Sequence, residues 1–276
     1  MTRSRADRIV AILALTVAVA AASPWARSSP AAGRADSSER TPVVVELFTS
    51  QGCSSCPPAD AVLARLAATQ PVAGVEIVAL SEHVDYWNHL GWRDPFSSAA
   101  FSLRQLDYAL KVFNTDNIYT PQMIVGGAAG LVGSDYRLAT AAVAKAAQAP
   151  RLHVILTLER TAAQRSTIAT TQVAATPGAS LDSPAEVMLA IAEDGLWSQV
   201  RRGENAGRHL SHTAVVRSMT TAGRIAPGAM PWSTTASLKL SREWNLDRSR
   251  VIALVQDRAT RRILGVATAA LSVHTP

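Results

Sequence analysis

The sequence predicts an α/β unit over residues 42–150 followed by an all-β unit over residues 151–276. Three observations carry that expectation. Before Pro150, short β-branched apolar runs alternate with helix-length runs, the pattern of βαβ units and a partly parallel sheet. After it, runs rich in Thr, Val, Ile and Leu are separated by turn signals at Pro177-Gly178, Asp194-Gly195 and Pro227-Gly228. Hydrophobic residues make up 48% and charged residues 17%, which supplies a substantial core without help from disulfides.

Residues 1–22 read as a signal peptide. Arg3, Arg5 and Arg8 precede the uncharged run Ile9 to Ala22, which is shorter than the roughly 20 residues a bilayer span requires. No cysteine lies nearby for lipidation, and no Arg-Arg pair marks a twin-arginine route. Residues 23–41 are small, polar and Pro-containing, a disordered linker. The expected location is therefore exported, periplasmic or secreted, with no permanent membrane span after signal cleavage. Losing the three Arg and one Asp of residues 1–22 leaves +4 of the formal +6 charge, without a basic stripe, so nucleic acid is not an expected partner.

The α/β unit reads in the order βαβαββα. Val43 to Phe48 is a β-branched strand, Ser54 to Thr69 a helix, and Val75 to Leu80 a second buried strand. Ser98 to Phe113 is a second helix, with an apolar face from Phe101, Leu103, Leu106, Leu110 and Phe113. Gln122 to Val125 and Gly130 to Gly133 are short strands, and Asp135 to Gln148 is an Ala-rich helix. Beyond Pro150, strands are expected at 152–158, 167–174, 186–192, 213–217, 236–240, 251–256 and 263–269. Seven short alternating strands predict an immunoglobulin-like (Ig-like) sandwich.

Both cysteines of the chain fall in GCSSCPPAD, between the first strand and the first helix. A thiol at a helix N-terminus meets exposed N–H groups and the positive end of the dipole, which lowers its pKa. Cys53 is expected to be the outer, attacking thiol and Cys56 the more buried, resolving one. Ser54 and Ser55 either donate hydrogen bonds to a thiolate or cap the helix. Pro57 and Pro58 suit a helix start. Redox chemistry competes with an inert disulfide, which in so short a loop gains little chain entropy. It competes also with a metal site, for which a second cysteine pair is missing.

Other candidates lie on the sheet. Thr120-Pro121 precedes the third strand. Glu46 is a charge inside a buried strand, either functional or pointing outward. Ser81 to Phe96 is dense in aromatic and titratable groups, and His83 is suited to exchanging protons with a thiol. His83 and Asp85 leave the strand end toward the cysteines, and Tyr86, Trp87 and Trp92 either line a groove or pack the loop down. Farther on, RGENAGRHLSHTAVVR holds Glu204, His209 and His212. Three-residue spacing on a strand puts the two histidines on opposite faces, so this reads as a polar loop entering a strand, in a half given to scaffolding or partner recognition.

Together, CSSC and the later Thr-Pro resemble the thioredoxin fold. ELFTSQGCSSCPPAD, HVDYWNHLGWRDPF, YTPQMIVGG and RGENAGRHLSHTAVVR resemble one family, the secreted, thioredoxin-like domain-of-unknown-function family 1223, over about Pro42 to Ala270. The resemblance implies a cis Thr120–Pro121 loop that faces the cysteines and binds the backbone of a substrate. It also implies a buried acid on the first strand that relays a proton to Cys56, a role Glu46 approximates. The sequence departs from ordinary thioredoxins in lacking a Trp before Cys53 and in having Ser-Ser between the cysteines. The expected function is an exported thiol–disulfide oxidoreductase acting on protein or small-molecule disulfides. It needs no cofactor beyond its redox-active disulfide, no metal, and a disulfide- or thiol-containing protein partner. The alternatives are a non-catalytic binding module with a permanent disulfide, and a copper-handling protein using Cys53, Cys56 and His83.

Overall fold

The computed structural model describes residues 40–159 and 165–272, so the expected signal peptide and nearly all of the expected linker lie outside the described residues. At its centre, β1 (Thr41–Thr49) and β2 (Val75–His83) run parallel. Both are buried on both faces, which explains why they read as continuous apolar runs instead of alternating ones. The crossover between them is α1 (Pro57–Thr69). Then come α2 (Ala99–Val112), β3 (Gln122–Val125), β4 (Ala129–Val132) and α3 (Tyr136–Ala146), completing the expected βαβαββα order. The first helix starts three residues later than predicted, because Pro57 and Pro58 occupy its first two positions and fix its beginning there.

The second half contributes β5 (His153–Glu159), β6 (Ser166–Ala174), β7 (Ala185–Glu193), β8 (Leu196–Gln199), β9 (His209–His212), β10 (Val215–Ile225), β11 (Trp232–Lys239), β12 (Ser249–Asp257) and β13 (Ile263–Ala270). These strands do not close into a self-contained immunoglobulin-like sandwich. Four of them continue the first sheet, giving an eight-stranded order β13-β12-β7-β10-β2-β1-β3-β4. The join is β10 beside β2, with Val215 opposite Ser81 and the Ser81 N–H donating to Ala214 O at 2.8 Å. Without it, the apolar edge of β2 would present unpaired backbone groups. The boundary expected near Pro150 thus falls between α3 and β5, and one sheet crosses it.

Side-chain alternation sorts what covers this sheet. Val43, Val45, Leu47, Ile77 and Ala79 face α1 and α3. Leu189, Ile191, Val251 and Ala253 face a separate three-stranded sheet, β11-β6-β5. The opposite parity, Val44, Val78, Leu80, Ala190 and Ile252, meets Phe101 of α2. The pair β8–β9 forms a small two-stranded sheet of its own, and β9 lies against α1.

Candidate functional site

The segment 50–56 turns the chain from the end of β1 into α1. Cys53 N–H donates to Ser50 O and Cys56 N–H to Cys53 O, both at 3.2 Å. The two cysteines form a disulfide with Cα atoms 5.4 Å apart. The N-cap of α1 is Cys56, without a side-chain cap, so neither Ser54 nor Ser55 caps the helix. Pro57 and Pro58 have no N–H, while the N–H groups of Ala59 and Asp60 both go to Cys56 O. The amide donors of the first helical turn, at positions 57 to 60, are therefore absent or in use. The donor present is Ser55, whose Oγ is 3.3 Å from Cys53 Sγ.

Neither sulfur reaches solvent: Cys53 and Cys56 are both 0% exposed, so Cys53 is not the outer thiol of the sequence reading. Its cover comes from the distant RGENAG loop. The Asn205 carboxamide donates to Gln51 O at 2.9 Å and to Cys53 O at 2.8 Å. Glu204 accepts from Ser54 N–H at 2.9 Å, and the Ser54 side chain, followed by this N–H, holds its carboxyl below the usual range. Gly203 and Gly207, at φ +77° and +82°, carry the chain around this loop in a conformation other residues rarely adopt.

The Thr120–Pro121 peptide is cis, as the resemblance implied. Pro121 O accepts from Gly133 N–H at 3.0 Å. A methyl group on Gly133 would come within 2.7 Å of Leu47 Cδ1, 3.0 Å of Ala59 Cβ and 3.5 Å of Pro121 Cβ. Only a glycine there lets Pro121 settle beside the first turn of α1. Trp87 ties the two loops together: its Nε1–H donates to Thr120 Oγ1 at 2.8 Å, and its Cβ lies 3.1 Å from where a Gly52 side chain would begin. The Thr120 backbone N–H and C=O have no hydrogen-bond partner among the described residues.

Beneath the turn lies a buried polar cluster. His83 Nδ1 donates to Asp94 Oδ2 at 2.7 Å, and its Nε2 has no partner among the described residues. Burial, the strongest influence, pulls the His83 pKa down, but Asp94 and then Asp60 outweigh it and raise the net value. At Asp94 burial again works against the charge; His83 and the N–H groups of Gln51 and Phe96 hold the carboxyl below its usual range. The His212 ring meets that of His83 edge-on, with centroids 4.7 Å apart. Gln51 orients it: Trp92 Nε1–H donates to Gln51 Oε1, so the Gln51 amide nitrogen must donate to Ser198 Oγ and to His212 Nε2, each at 3.0 Å. The proton of a neutral His212 therefore sits on Nδ1, 3.7 Å from Asp60 Oδ2. Burial and the nearby His83 charge push His212 down to about 3, whereas burial pushes Asp60 up to about 7. Thr49 Oγ1–H donates to Asp60 Oδ1 at 2.9 Å.

Glu46 does not serve the cysteines. It shares the parity of Val44 and Phe48 and so points to the face opposite α1. There it pairs with Arg104 at 2.6 Å and accepts from Tyr108 O–H at 2.5 Å. The acid on the cysteine side is Asp60, one helical turn past Cys56, with its side chain directed back toward the helix start. His83 comes to this cluster but not into a ligand set with the thiols. Among the described residues no group of three or more His, Cys, Asp or Glu is placed to hold a metal ion. Asp85 is taken up by Ser102 of α2, and Tyr86 by Gln105. His209 is exposed and His212 buried, on opposite faces of β9 as the spacing implied.

Three residues escaped the sequence reading, Gln51, Asp60 and Asn205, and His212 was read only as part of a polar loop entering a strand. Asp60 carried a signal, an acid four residues after a cysteine at a helix start. Asn205 and His212 carried none, because only the folding back of β8–β9 brings them to the turn.

A family model described as "Protein of unknown function (DUF1223)" matches residues 44–256. No curated protein matches the chain. Among solved structures, protein AGR_C_4864 from Agrobacterium tumefaciens is 26% identical, with a TM-score of 0.63, over 85% of this chain and 96% of that one. HBP35 of Porphyromonas gingivalis is 16% identical, with a TM-score of 0.62, over 86% of this chain and 80% of that one, a likeness of fold. Among the described residues no helix is long and apolar enough to cross a membrane.

Proposed function

The chain belongs to the family of proteins of unknown function DUF1223, and from that premise we propose that it is an exported thiol–disulfide oxidoreductase working through Cys53 and Cys56. One observation carries the reading. The Cys53–Cys56 disulfide and the cis Thr120–Pro121 peptide meet at the first turn of α1, and the Thr120 backbone is free to pair with another chain. The sheet order β2-β1-β3-β4, with β1 parallel to β2 and antiparallel to β3, supports the thioredoxin-like unit expected over residues 42–150. Helices α1 and α3 on one face and α2 on the other support it as well. The segment 151–276 then extends that unit's sheet and supplies the cover of its cysteines. Export rests on the basic and apolar residues of the first 22 positions, and a disulfide suits an oxidising compartment.

In the reduced state, Cys53 attacks a substrate disulfide, forms a mixed disulfide and releases one substrate thiolate. Cys56 then gives up its proton and attacks Cys53 Sγ. That step expels the second substrate thiolate and closes the Cys53–Cys56 bond, so two electrons have passed to the substrate. Ser55 stabilises the Cys53 thiolate. Asp60, with a carboxyl pKa of about 7, takes the Cys56 proton. Because neither sulfur is exposed, the loop of Glu204 and Asn205 lifts before a partner is engaged.

The burial of both sulfurs favours a second reading, a binding module with a permanent disulfide. Expressing Cys56→Ser in the export compartment and looking for adducts on non-reducing gels separates the two. Mixed disulfides that vanish in Cys53→Ser/Cys56→Ser are expected. No adducts, together with a Cys53 of ordinary thiol pKa, would favour the binding module.

A further inference from the structure

An open groove of about 590 Å³ lies between the loop that carries Trp92, Arg93 and Pro95 and the strand β8 with its continuation to Arg201. We propose that it holds an extended acidic segment of a partner polypeptide. For the partner to be the protein whose disulfide is exchanged rests on the oxidoreductase reading; the binding itself does not. Three features set the chemistry. First, the groove has aromatic walls. Trp197 is 61% exposed and stacks on His209 with centroids 4.8 Å apart, so its indole is held rigidly in the open. Trp92 is fixed by its bond to Gln51. An exposed, preoriented indole beside a half-buried one is costly to maintain and suits apolar side chains of a ligand.

Second, the charge is one-sided. Arg93 and Arg201 line the groove, and neither has a carboxylate partner among the described residues. The nearby Glu204 is already bonded to Ser54 N–H, and Asp94 is buried with His83. Two unpaired guanidinium groups in one groove match carboxylates in fork geometry. Third, β8 pairs only with β9 among the described strands, leaving its other edge open to a strand from another chain. The groove is also coupled to the cysteines. Gln51 bonds both Trp92 and Ser198, and it precedes Cys53 by two residues in the same turn.

The test uses the full mature chain and two fluorescein-labelled, cysteine-free peptides of equal length. One alternates Glu with Tyr and Val, the other has Lys in place of Glu. In anisotropy titrations at low salt, the acidic peptide is expected to bind at least tenfold more tightly than the basic one and to weaken as salt rises. Arg93→Ala, Arg201→Ala and Trp197→Ala are each expected to lower its affinity about fivefold or more. Equal affinity for the two peptides would overturn the proposal. So would three variants that bind as the parent does, or a single-stranded oligonucleotide that displaces the acidic peptide at equal concentration. Because the peptides contain no cysteine, a failed disulfide-trapping experiment leaves this result standing, and the converse also holds.

Discussion

At the scale of single residues, the site is governed by where protons reside in a buried cluster. Asp60 ionises only near pH 7 and His212 stays neutral down to about 3. In the unfolded chain both ionise at ordinary values. Between about pH 4.5 and 6 the unfolded chain therefore holds one proton on His212 and the folded chain holds it on Asp60. The two pH dependences oppose each other. An acid with a raised pKa makes the fold lose stability as pH climbs from its unfolded to its folded value. A base with a lowered pKa makes the fold gain stability as pH climbs over the same interval. Asp60→Asn removes the first effect, so its stability should rise by about 1.4 kcal/mol per pH unit across this window relative to the parent. His212→Gln should change in the other direction. Chemical denaturation at a series of pH values checks both signs.

Asp60 also separates a structural role from a catalytic one. With Asp60→Asn, the second step of disulfide exchange loses its proton acceptor. Stopped-flow kinetics at pH 7 should show mixed disulfide accumulating and its resolution slowed by about tenfold or more. Initial attack by Cys53 should change little. Equal slowing of both steps would point to a structural role alone. The thioredoxin resemblance implied this part for Glu46, whose charge inside VVVELF could also have pointed outward. Strand parity sends that carboxylate to the other face, and only the packing of α2 against β1 reveals that Arg104 neutralises it.

At the scale of elements, the turn, the cis-proline loop and the 203–207 loop act as three pieces around one disulfide. Asn205 ties the last of these to the first through two carbonyls. Asn205→Ala leaves the buried Gln51 carbonyl without a partner and the Cys53 carbonyl with Cys56 N–H alone, at a cost of about 1–3 kcal/mol. It should also speed alkylation of the reduced pair at least several-fold under conditions where global unfolding is negligible. An unchanged alkylation rate would mean that the loop does not gate the thiols. Gly133→Ala is expected to force α1 away from Pro121 and lower stability by about 1–3 kcal/mol, read as a shifted denaturation midpoint. The elements of the first half were legible because period and punctuation agree: β-branched runs for strands, prolines at the start of α1, Ser98 and Asp135 at the N-caps of α2 and α3. The β8–β9 hairpin was not, since HLSH is too short and polar to declare a strand.

At the scale of the whole molecule, the two halves share a sheet. Sequence patterning correctly separated a βαβ region from a strand-rich one, yet it could not assign edges, because which strand pairs with the exposed side of β2 is a non-local matter. The helix α2 was legible for the same local reasons, but its buried face was not: Phe101, Arg104, Gln105, Tyr108 and Ala109 are buried whereas Leu103 and Leu110 are exposed, because its partners include strands more than 80 residues away in sequence that carry polar groups to meet Arg104. A chain ending at residue 150 would expose the β2 edge and the α2-facing side chains now met by Met188, Ala190 and Ile252. Such a fragment is expected to show no cooperative thermal transition by circular dichroism; a sharp one would mean that residues 42–150 fold alone.

The most direct test of the central claim is a redox titration of Cys53–Cys56 in the full mature chain, with thiols alkylated and counted by mass at each potential. A redox-active pair is expected to interconvert reversibly, with a midpoint above about −300 mV, and Asn205→Ala should reach equilibrium faster. A pair that stays closed well below about −300 mV in parent and variant alike behaves as a permanent structural disulfide, and that result would contradict the oxidoreductase account.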